Sequence, residues 1–310
     1  MQKTYDITAL GELLVDMAPG QLSDQGNMTF EACPGGAPCN VLSLLSKAGM
    51  KTAFIGKVGD DFLGHMLGDT VSELGIDTKG LLYDKNYKTT LAFVHKLANG
   101  DRDFSFYRKP GADVMLNKTE VDYDLIRQSR IFHFGTLSMT DEGVRAATRE
   151  AVAAAKAAGS LVSFDPNLRE PLWDSLGQAK EMIAWGMRNC DILKISDNEV
   201  EFMTGCTDML AGFEAIKNMT SARVIFVTLG KDGSMAWAGG DIVTEPGQRM
   251  ESIVDTTGAG DTFFGCALYY ILKNGIELNE VQLKELLTLA NSKAAQITQV
   301  KGALKVMPVI

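Results

Sequence analysis

An α/β fold is predicted for this chain by three observations. Short apolar runs alternate with longer helix-patterned segments over most of the length, the signature of parallel strands joined by crossover helices. Two stretches, Leu13 to Cys33 and Thr89 to Arg108, instead alternate with period two and read as a small antiparallel sheet. The 310 residues, 45% of them hydrophobic and only 8 of them proline, suffice for one large core plus an appendage, since a single core saturates at roughly 250 to 300 residues.

Taken in order, the first buried strand is Ile7 to Leu10, followed by the first period-two stretch and a helix at Ala37 to Ala48. A strand at Thr52 to Ile55 and a helix at Phe62 to Leu74 form the next unit. In the second period-two stretch Phe104, Phe106 and Arg108 share one face. Inserted between βα units, such a sheet is either a flap over the main body or a plain edge hairpin. Strands then recur at Ile131 to Phe134, Leu161 to Phe164, Ile192 to Ile195 and Val224 to Val227. Between them lie the alanine-rich helix Thr140 to Ala158, closed by Gly159, and the short helix Glu199 to Met203. A last apolar helix runs from Thr262 to Leu272.

Composition excludes several classes of function. The net charge of -9, from 30 Lys and Arg against 39 Asp and Glu, repels nucleic acid and anionic membrane surfaces. A small anionic ligand needs a local exception built from backbone amides or a few basic side chains. Five scattered cysteines without a C-x-x-C pair give neither a disulfide framework nor a thiolate zinc site, and fit a reducing, cytoplasmic setting. The chain shows no signal peptide and no 18-residue apolar run.

The local exception is Asp255-Thr256-Thr257-Gly258-Ala259-Gly260-Asp261, small residues leading into a helix. Gly258, Ala259 and Gly260 let the amides turn inward at a helix N-terminus, where they can hold phosphate. Asp261 falls in the first turn, where the helix dipole is expected to lower its basicity. By spacing alone it is either an N-cap or a base that accepts a hydroxyl proton. Gly35-Gly36-Ala37-Pro38-Cys39-Asn40 is a second glycine-rich entry to a helix, suited to hydroxyls. Asp16 follows a strand and is either a turn residue or a ligand for vicinal hydroxyls. Thr228-Leu229-Gly230-Lys231-Asp232-Gly233 is either an ordinary hairpin or a ledge for a flat ligand. No P-loop and no protein-kinase glycine-rich loop is present.

These segments together resemble the ribokinase-like (PfkB) family of sugar kinases, over about residues 6 to 302. Two signatures carry the resemblance: Gly35 to Asn40 with Gly49 and Gly59 downstream, and Asp255 to Asp261. Leu42 and Cys266 depart from the smaller residues usual there. Within the family the chain is most similar to fructokinases, through Gly11-Glu12-Leu13-Leu14-Val15-Asp16, Phe106-Tyr107-Arg108-Lys109-Pro110-Gly111-Ala112-Asp113, His133-Phe134-Gly135 and Ser163-Phe164-Asp165-Pro166-Asn167-Leu168-Arg169.

The resemblance implies one doubly wound α/β domain over residues 1–310, with a β-lid from insertions at about 13–33 and 89–108. It implies transfer of the ATP γ-phosphoryl group to a fructose hydroxyl. Asp261 becomes the catalytic base and the Gly258-Ala259-Gly260 amides the anion hole. Asp16, Gly35, Gly36 and Asn40 would hold sugar hydroxyls, with Phe104, Phe106 and Arg108 closing over the ring and Arg169 near the phosphate or the sugar. Lys194, Thr228, Gly230, Gly233 and Asn291 match positions bordering the nucleotide. Asn198 and Glu201 match the N-x-x-E motif that orders magnesium and its waters. Asp255 and Thr257 match a monovalent-cation site, for potassium, completed near Gly302. A lid-to-lid homodimer is the expected assembly. The alternatives are a 2-keto-3-deoxygluconate kinase, whose substrate carboxylate Arg108 and Arg169 could pair with, and a non-catalytic nucleotide-binding relative.

Overall fold

The structure, a computed structural model, describes residues 3–96 and 102–310. The chain opens with β1 (Tyr5–Leu10), β2 (Leu14–Pro19), β3 (Phe30–Gly35), α1 (Ala37–Lys47), β4 (Thr52–Gly59), α2 (Phe62–Glu73) and β5 (Asp77–Asp84). There follow β6 (Leu91–Lys96), β7 (Arg102–Tyr107), α3 (Tyr123–Arg127), β8 (Ser129–Gly135), α4 (Glu142–Ala157), β9 (Leu161–Asp165) and α5 (Leu176–Asn189). The last third holds β10 (Ile192–Ser196), α6 (Asp197–Thr204), α7 (Met209–Met219), β11 (Val224–Thr228), β12 (Ser234–Trp237), β13 (Val243–Glu245), α8 (Ala259–Asn274) and α9 (Glu280–Ile297).

Nine strands form the main sheet in the order β13-β12-β11-β10-β9-β8-β1-β4-β5. From β11 to β5 the neighbours are parallel, and at the other edge β12 runs antiparallel to both β11 and β13. Strands buried on both faces need apolar residues pointing each way. In β4, Phe54 joins the core under α1, α2, α8 and α9, while Ala53 and Ile55 join the core under α3 to α7. In β11, Phe226 faces the first core and Ile225 and Val227 the second. Each of these side chains larger than alanine contributes about 1.5 to 3 kcal/mol on burial, and a one-residue slip would exchange the two cores.

Several helix starts follow from capping chemistry. Asp61 accepts from the Gly64 amide at α2 and Ser175 from Gln178 at α5. Ser196 and Glu199 form a reciprocal capping box at α6, as Asn279 and Gln282 do at α9. Helix α8 has no side-chain cap, which leaves its first-turn N–H groups without an acceptor of that kind.

Every buried strand predicted from the sequence is present, and each is longer than predicted. The helices α3, α5, α7 and α9 and the strands β5, β12 and β13 went unassigned in the sequence. The core-facing row of α5 is Ala179, Met182, Ile183, Gly186 and Met187, whose small and flexible members weaken the apolar period that a sequence displays.

Four strands form the second sheet, in the order β3-β2-β6-β7. It is mixed rather than antiparallel: β2 pairs parallel to β6, and only β2 with β3 and β6 with β7 are antiparallel. The reason lies in the main sheet. β2 follows β1 and β6 follows β5, and β1, β4 and β5 are mutually parallel, so both excursions leave the body in one direction.

Candidate active site

A cavity of about 970 Å³ lies where the parallel strands end. Its wall takes Glu12 after β1, Leu137 after β8, Asn167 after β9, Lys194 and Ser196 at the end of β10, and Thr228 at the end of β11. β1 is flanked by β4 and β8, so the strand order reverses there, and ligands of open α/β sheets bind at such a reversal.

One end of the cavity is built by the small sheet and α1. Asp16 pairs with Ala92 across to β6, and Ala92 pairs with Phe106 on β7. This common row puts the Asp16 and Phe106 side chains on one face, and both line the cavity. Gly35 lies under the Asp16 carboxylate, where a Cβ would collide with it. Gly36 has φ 129°, and a Cβ there would strike the Glu12 carbonyl. The side chain of Phe104 lies outside the described residues.

Glu12 is buried against this turn, its Oε1 accepting from the Ala37 amide at 3.0 Å. Burial pushes its carboxyl up to about 7, against the pull of these amides and of Arg108. Asn40, 4% exposed, donates its Nδ2 to Asp261 Oδ2 at 2.8 Å. Its Oδ1 is buried at the cavity wall without a hydrogen-bond partner.

The opposite wall is the start of α8. Gly258 caps the helix with φ 79°, and Asp261 is the third residue of its first turn. Asp261 is therefore not the cap, and its side chain turns to Asn40 instead. Burial raises the Asp261 carboxyl above its ordinary value, while Asn40, Lys194 and Arg169 pull it down. The sequence predicts a lowering from the helix dipole; the direction is the opposite, set by desolvation of the carboxylate.

Lys194 reaches this wall from β10, and a Cβ on Gly260 would lie 3.0 Å from its Nζ. Arg169 lines the cavity from the loop after β9. That loop passes through Asn167, a non-glycine residue at φ 48°, and is held where the Leu168 amide donates to Glu199 Oε1 at 2.7 Å. Thr228 and Gly230 also line the cavity, as do Asn198, Phe202 and Thr257.

Several expected contacts lie elsewhere. Arg108 does not share a face toward the cavity. It follows β7, and its guanidinium is buried, with Nε on Asp113 Oδ2 at 2.7 Å, Nη1 on Thr140 Oγ1 at 3.0 Å and Nη2 on the Leu137 carbonyl at 2.7 Å. Gly233 and Asn291 stand outside the wall. Asn291 accepts from Ser234 Oγ and donates to the carbonyls of Glu245 and Pro246, while Gly233 gives the same 245–247 segment room to pass. Glu201 is exposed and outside the wall, one turn from Asn198. Asp255 is buried, accepting from the Thr257 amide at 2.7 Å and the Gly302 amide at 3.0 Å.

Sequence reasoning assigned no role to Glu12, Asp165, Asn167 or Glu199. Glu199 carried the Ser-x-x-Glu spacing of a capping box, while Glu12, Asp165 and Asn167 stood only within the words that carry the family resemblance. Among the described residues no cluster of three His, Cys, Asp or Glu side chains is placed to cage a metal ion. A magnesium ion needs no such cage, since it keeps several waters and takes one or two protein ligands with substrate phosphates. Asn198 and the neighbouring acids of the wall fit that mode.

An uncapped helix start, an acid at its third residue and a cavity at the strand ends make a site that can hold an anion beside a proton acceptor. The pfkB family carbohydrate kinase pattern matches residues 5–310. Fructokinase-2 of Oryza sativa subsp. japonica is 39% identical over 314 residues, covering 98% of this chain and 91% of that protein. The crystal structure of a Vibrio cholerae O395 fructokinase in a fructose, ADP and calcium ion bound form superposes with TM-score 0.88 at 28% identity, covering 98% of this chain and 96% of that one. An aminoimidazole riboside kinase from Salmonella enterica, complexed with aminoimidazole riboside and an ATP analog, gives TM-score 0.84 at 26% identity over the same shares. The chain belongs to the pfkB family of carbohydrate kinases. No helix among the described residues is long and apolar enough to cross a membrane.

Proposed function

We propose that this chain is an ATP-dependent fructokinase, with the small sheet serving as a lid on a single α/β domain. The observation that carries the reading is the junction of Asn40 and Asp261. A hydroxylated ligand entering from the lid side meets a proton acceptor, Asp261, beside a buried amide oxygen that lacks a donor. The uncapped start of α8 stands next to both. One sugar hydroxyl fills the orphaned Asn40 Oδ1 and another is held by Asp261 for attack on the γ-phosphorus of ATP.

Asp261 accepts the proton late in the transfer, since a carboxylate is far less basic than an alkoxide. Its burial favours that task by raising its proton affinity. The amides at the start of α8, with Lys194 and Arg169, hold the charge on the transferring group. Magnesium bound beside the phosphates near Asn198 would neutralise part of that charge. Asp255, which gathers the Thr257 and Gly302 amides, organises the loops proposed to hold potassium. Asp16 and Phe106 cover the sugar, and closure of the lid excludes water that would compete as acceptor.

A 2-keto-3-deoxygluconate kinase fits less well, because Arg108 is fully engaged at a buried site and leaves Arg169 alone for a substrate carboxylate. All five cysteines are free, which suits a cytoplasmic enzyme. The exposed Tyr107, packed on Phe93 in the lid, supports a lid-to-lid homodimer, readable by light scattering.

The test is ADP release across fructose, aldoses, ribosides and 2-keto-3-deoxygluconate, together with Asp261→Asn. Fructose should give the highest kcat/KM. The substitution should lower kcat by about 10² to 10⁴ with ATP binding little changed. A better acceptor than fructose overturns the substrate, and a loss below tenfold overturns the role of Asp261.

A further inference from the structure

At the cavity wall lies a buried ion pair, Lys194 with Asp165, of which the second member has no role in the reaction as described. Strands β9 and β10 pair in parallel with Leu193 opposite Phe164, which sets Asp165 beside Lys194 at the ends of the two strands. Lys194 Nζ lies 3.0 Å from Asp165 Oδ2 and 3.2 Å from Oδ1. The side chains are 8% and 4% exposed. Lys194 lines the cavity and Asp165 does not.

We propose that Asp165 is a positioning residue for phosphoryl transfer, holding the Lys194 ammonium against the α8 cradle and away from Asp261. The inference rests on the kinase reading above. An ammonium carries three donors. The two Asp165 oxygens occupy the side facing the sheet, and the remaining donor capacity is left for a phosphate oxygen over Gly260. Without Asp165, the carboxylates remaining around Lys194 are Asp261 on α8 and Glu199 on α6, both of which act on it electrostatically. Glu199 is already engaged by the Leu168 and Ser196 amides. Asp261 is therefore the partner to which the freed ammonium would turn, and a paired Asp261 is a poorer proton acceptor.

Burial works against both charges of the pair, raising the Asp165 carboxyl while Lys194 pulls it back down. Burial alone would lower Lys194, but Asp165, with Glu199 and Asp261 further off, outweighs it and keeps the ammonium protonated. The other groups nearby are Arg169, on the loop after β9, which acts on Asp261, and His133 on β8, kept neutral by burial.

The test uses the full-length chain, with whichever sugar proves the best acceptor in the panel above, so that a wrong sugar leaves it intact. Asp165→Asn, Lys194→Met and the double variant are compared, their folding checked by thermal melts. For Asp165→Asn, kcat should fall about 10- to 100-fold with the sugar KM within about twofold. The acid limb of its kcat profile should move to lower pH as Lys194 pairs with Asp261. In the Lys194→Met background the same change should cost less than about threefold, because the residue acts through the lysine. Asp165→Glu, which keeps the charge, should recover most of the rate and serves if the asparagine variant does not fold. Multiplicative losses in the double variant, an unmoved acid limb, or a glutamate variant as slow as the asparagine one would overturn the proposal. Absence of sugar turnover by the unmodified chain would instead overturn the kinase reading.

Discussion

Asn40 on α1 donates to Asp261 on α8 across 2.8 Å, joining residues 221 positions apart in the chain. The bond orients the acid proposed to accept the proton and fixes the amide oxygen of Asn40, which is buried without a donor. Asn40→Ala removes both effects. A hydrogen bond to a charged group is worth roughly 1.5 to 3 kcal/mol, so kcat/KM for the sugar should fall by roughly 10- to 100-fold. KM for ATP should stay within about twofold. Steady-state kinetics with each substrate varied in turn would check this, and an equal rise in both KM values would count against it.

Gly258 tests the cradle. Its φ of 79° is left-handed, and a Cβ would lie 2.7 Å from that of Ala303. Gly258→Ala therefore carries both backbone strain, roughly 1 to 2 kcal/mol, and a clash that shifts the start of α8. Chemical denaturation should show the destabilisation, and kcat should fall at least about tenfold.

Arg108 tests the base of the lid. It ties the residues after β7 to Asp113 and to the 137–140 segment, and Asp113 Oδ1 also accepts from Thr90 Oγ1 before β6. Arg108→Ala leaves the Asp113 carboxylate buried without its cation, which typically costs about 3 to 5 kcal/mol. Urea midpoints should drop accordingly. A sugar KM shifted severalfold at unchanged stability would instead restore Arg108 as a sugar contact.

His133 gives a pH signature. Burial lowers its pKa from 6.5 to about 3, the ring sitting between Ser163 Oγ and the edge of Phe264. Between those values the unfolded chain holds a proton that the folded chain refuses, so this residue makes stability fall as pH drops below about 6.5. Glu12, raised to about 7, acts in the opposite sense, its contribution being lost as pH rises from about 4.5 to 7. His133→Gln should therefore be less destabilised than the unmodified chain on going from pH 7 to pH 5. The difference should be roughly 1 to 2 kcal/mol by urea unfolding at both pH values.

Much of the frame was legible in the sequence. The buried strands announced themselves as short apolar runs, because a strand covered on both faces needs no polar residue along its length. The start of α8 was legible because glycine and alanine admit a backbone turn that larger residues obstruct. Arg108 was misread because period-two alternation was carried one residue past the end of β7. Nothing in its own neighbourhood reveals that Asp113, Thr140 and the Leu137 carbonyl converge on it.

What the sequence by itself determined is local: the α/β alternation, the two glycine-rich helix entries, and Asp261 in a first turn. These follow from periodicity and backbone freedom, which act over a few residues. Only the tertiary structure decided that Asp261 faces Asn40, that burial raises its carboxyl, that β2 and β6 pair in parallel, and that Asp165 pairs with Lys194. Each of these depends on desolvation or on partners brought together from distant segments, and desolvation has no value until the whole chain has closed around the group.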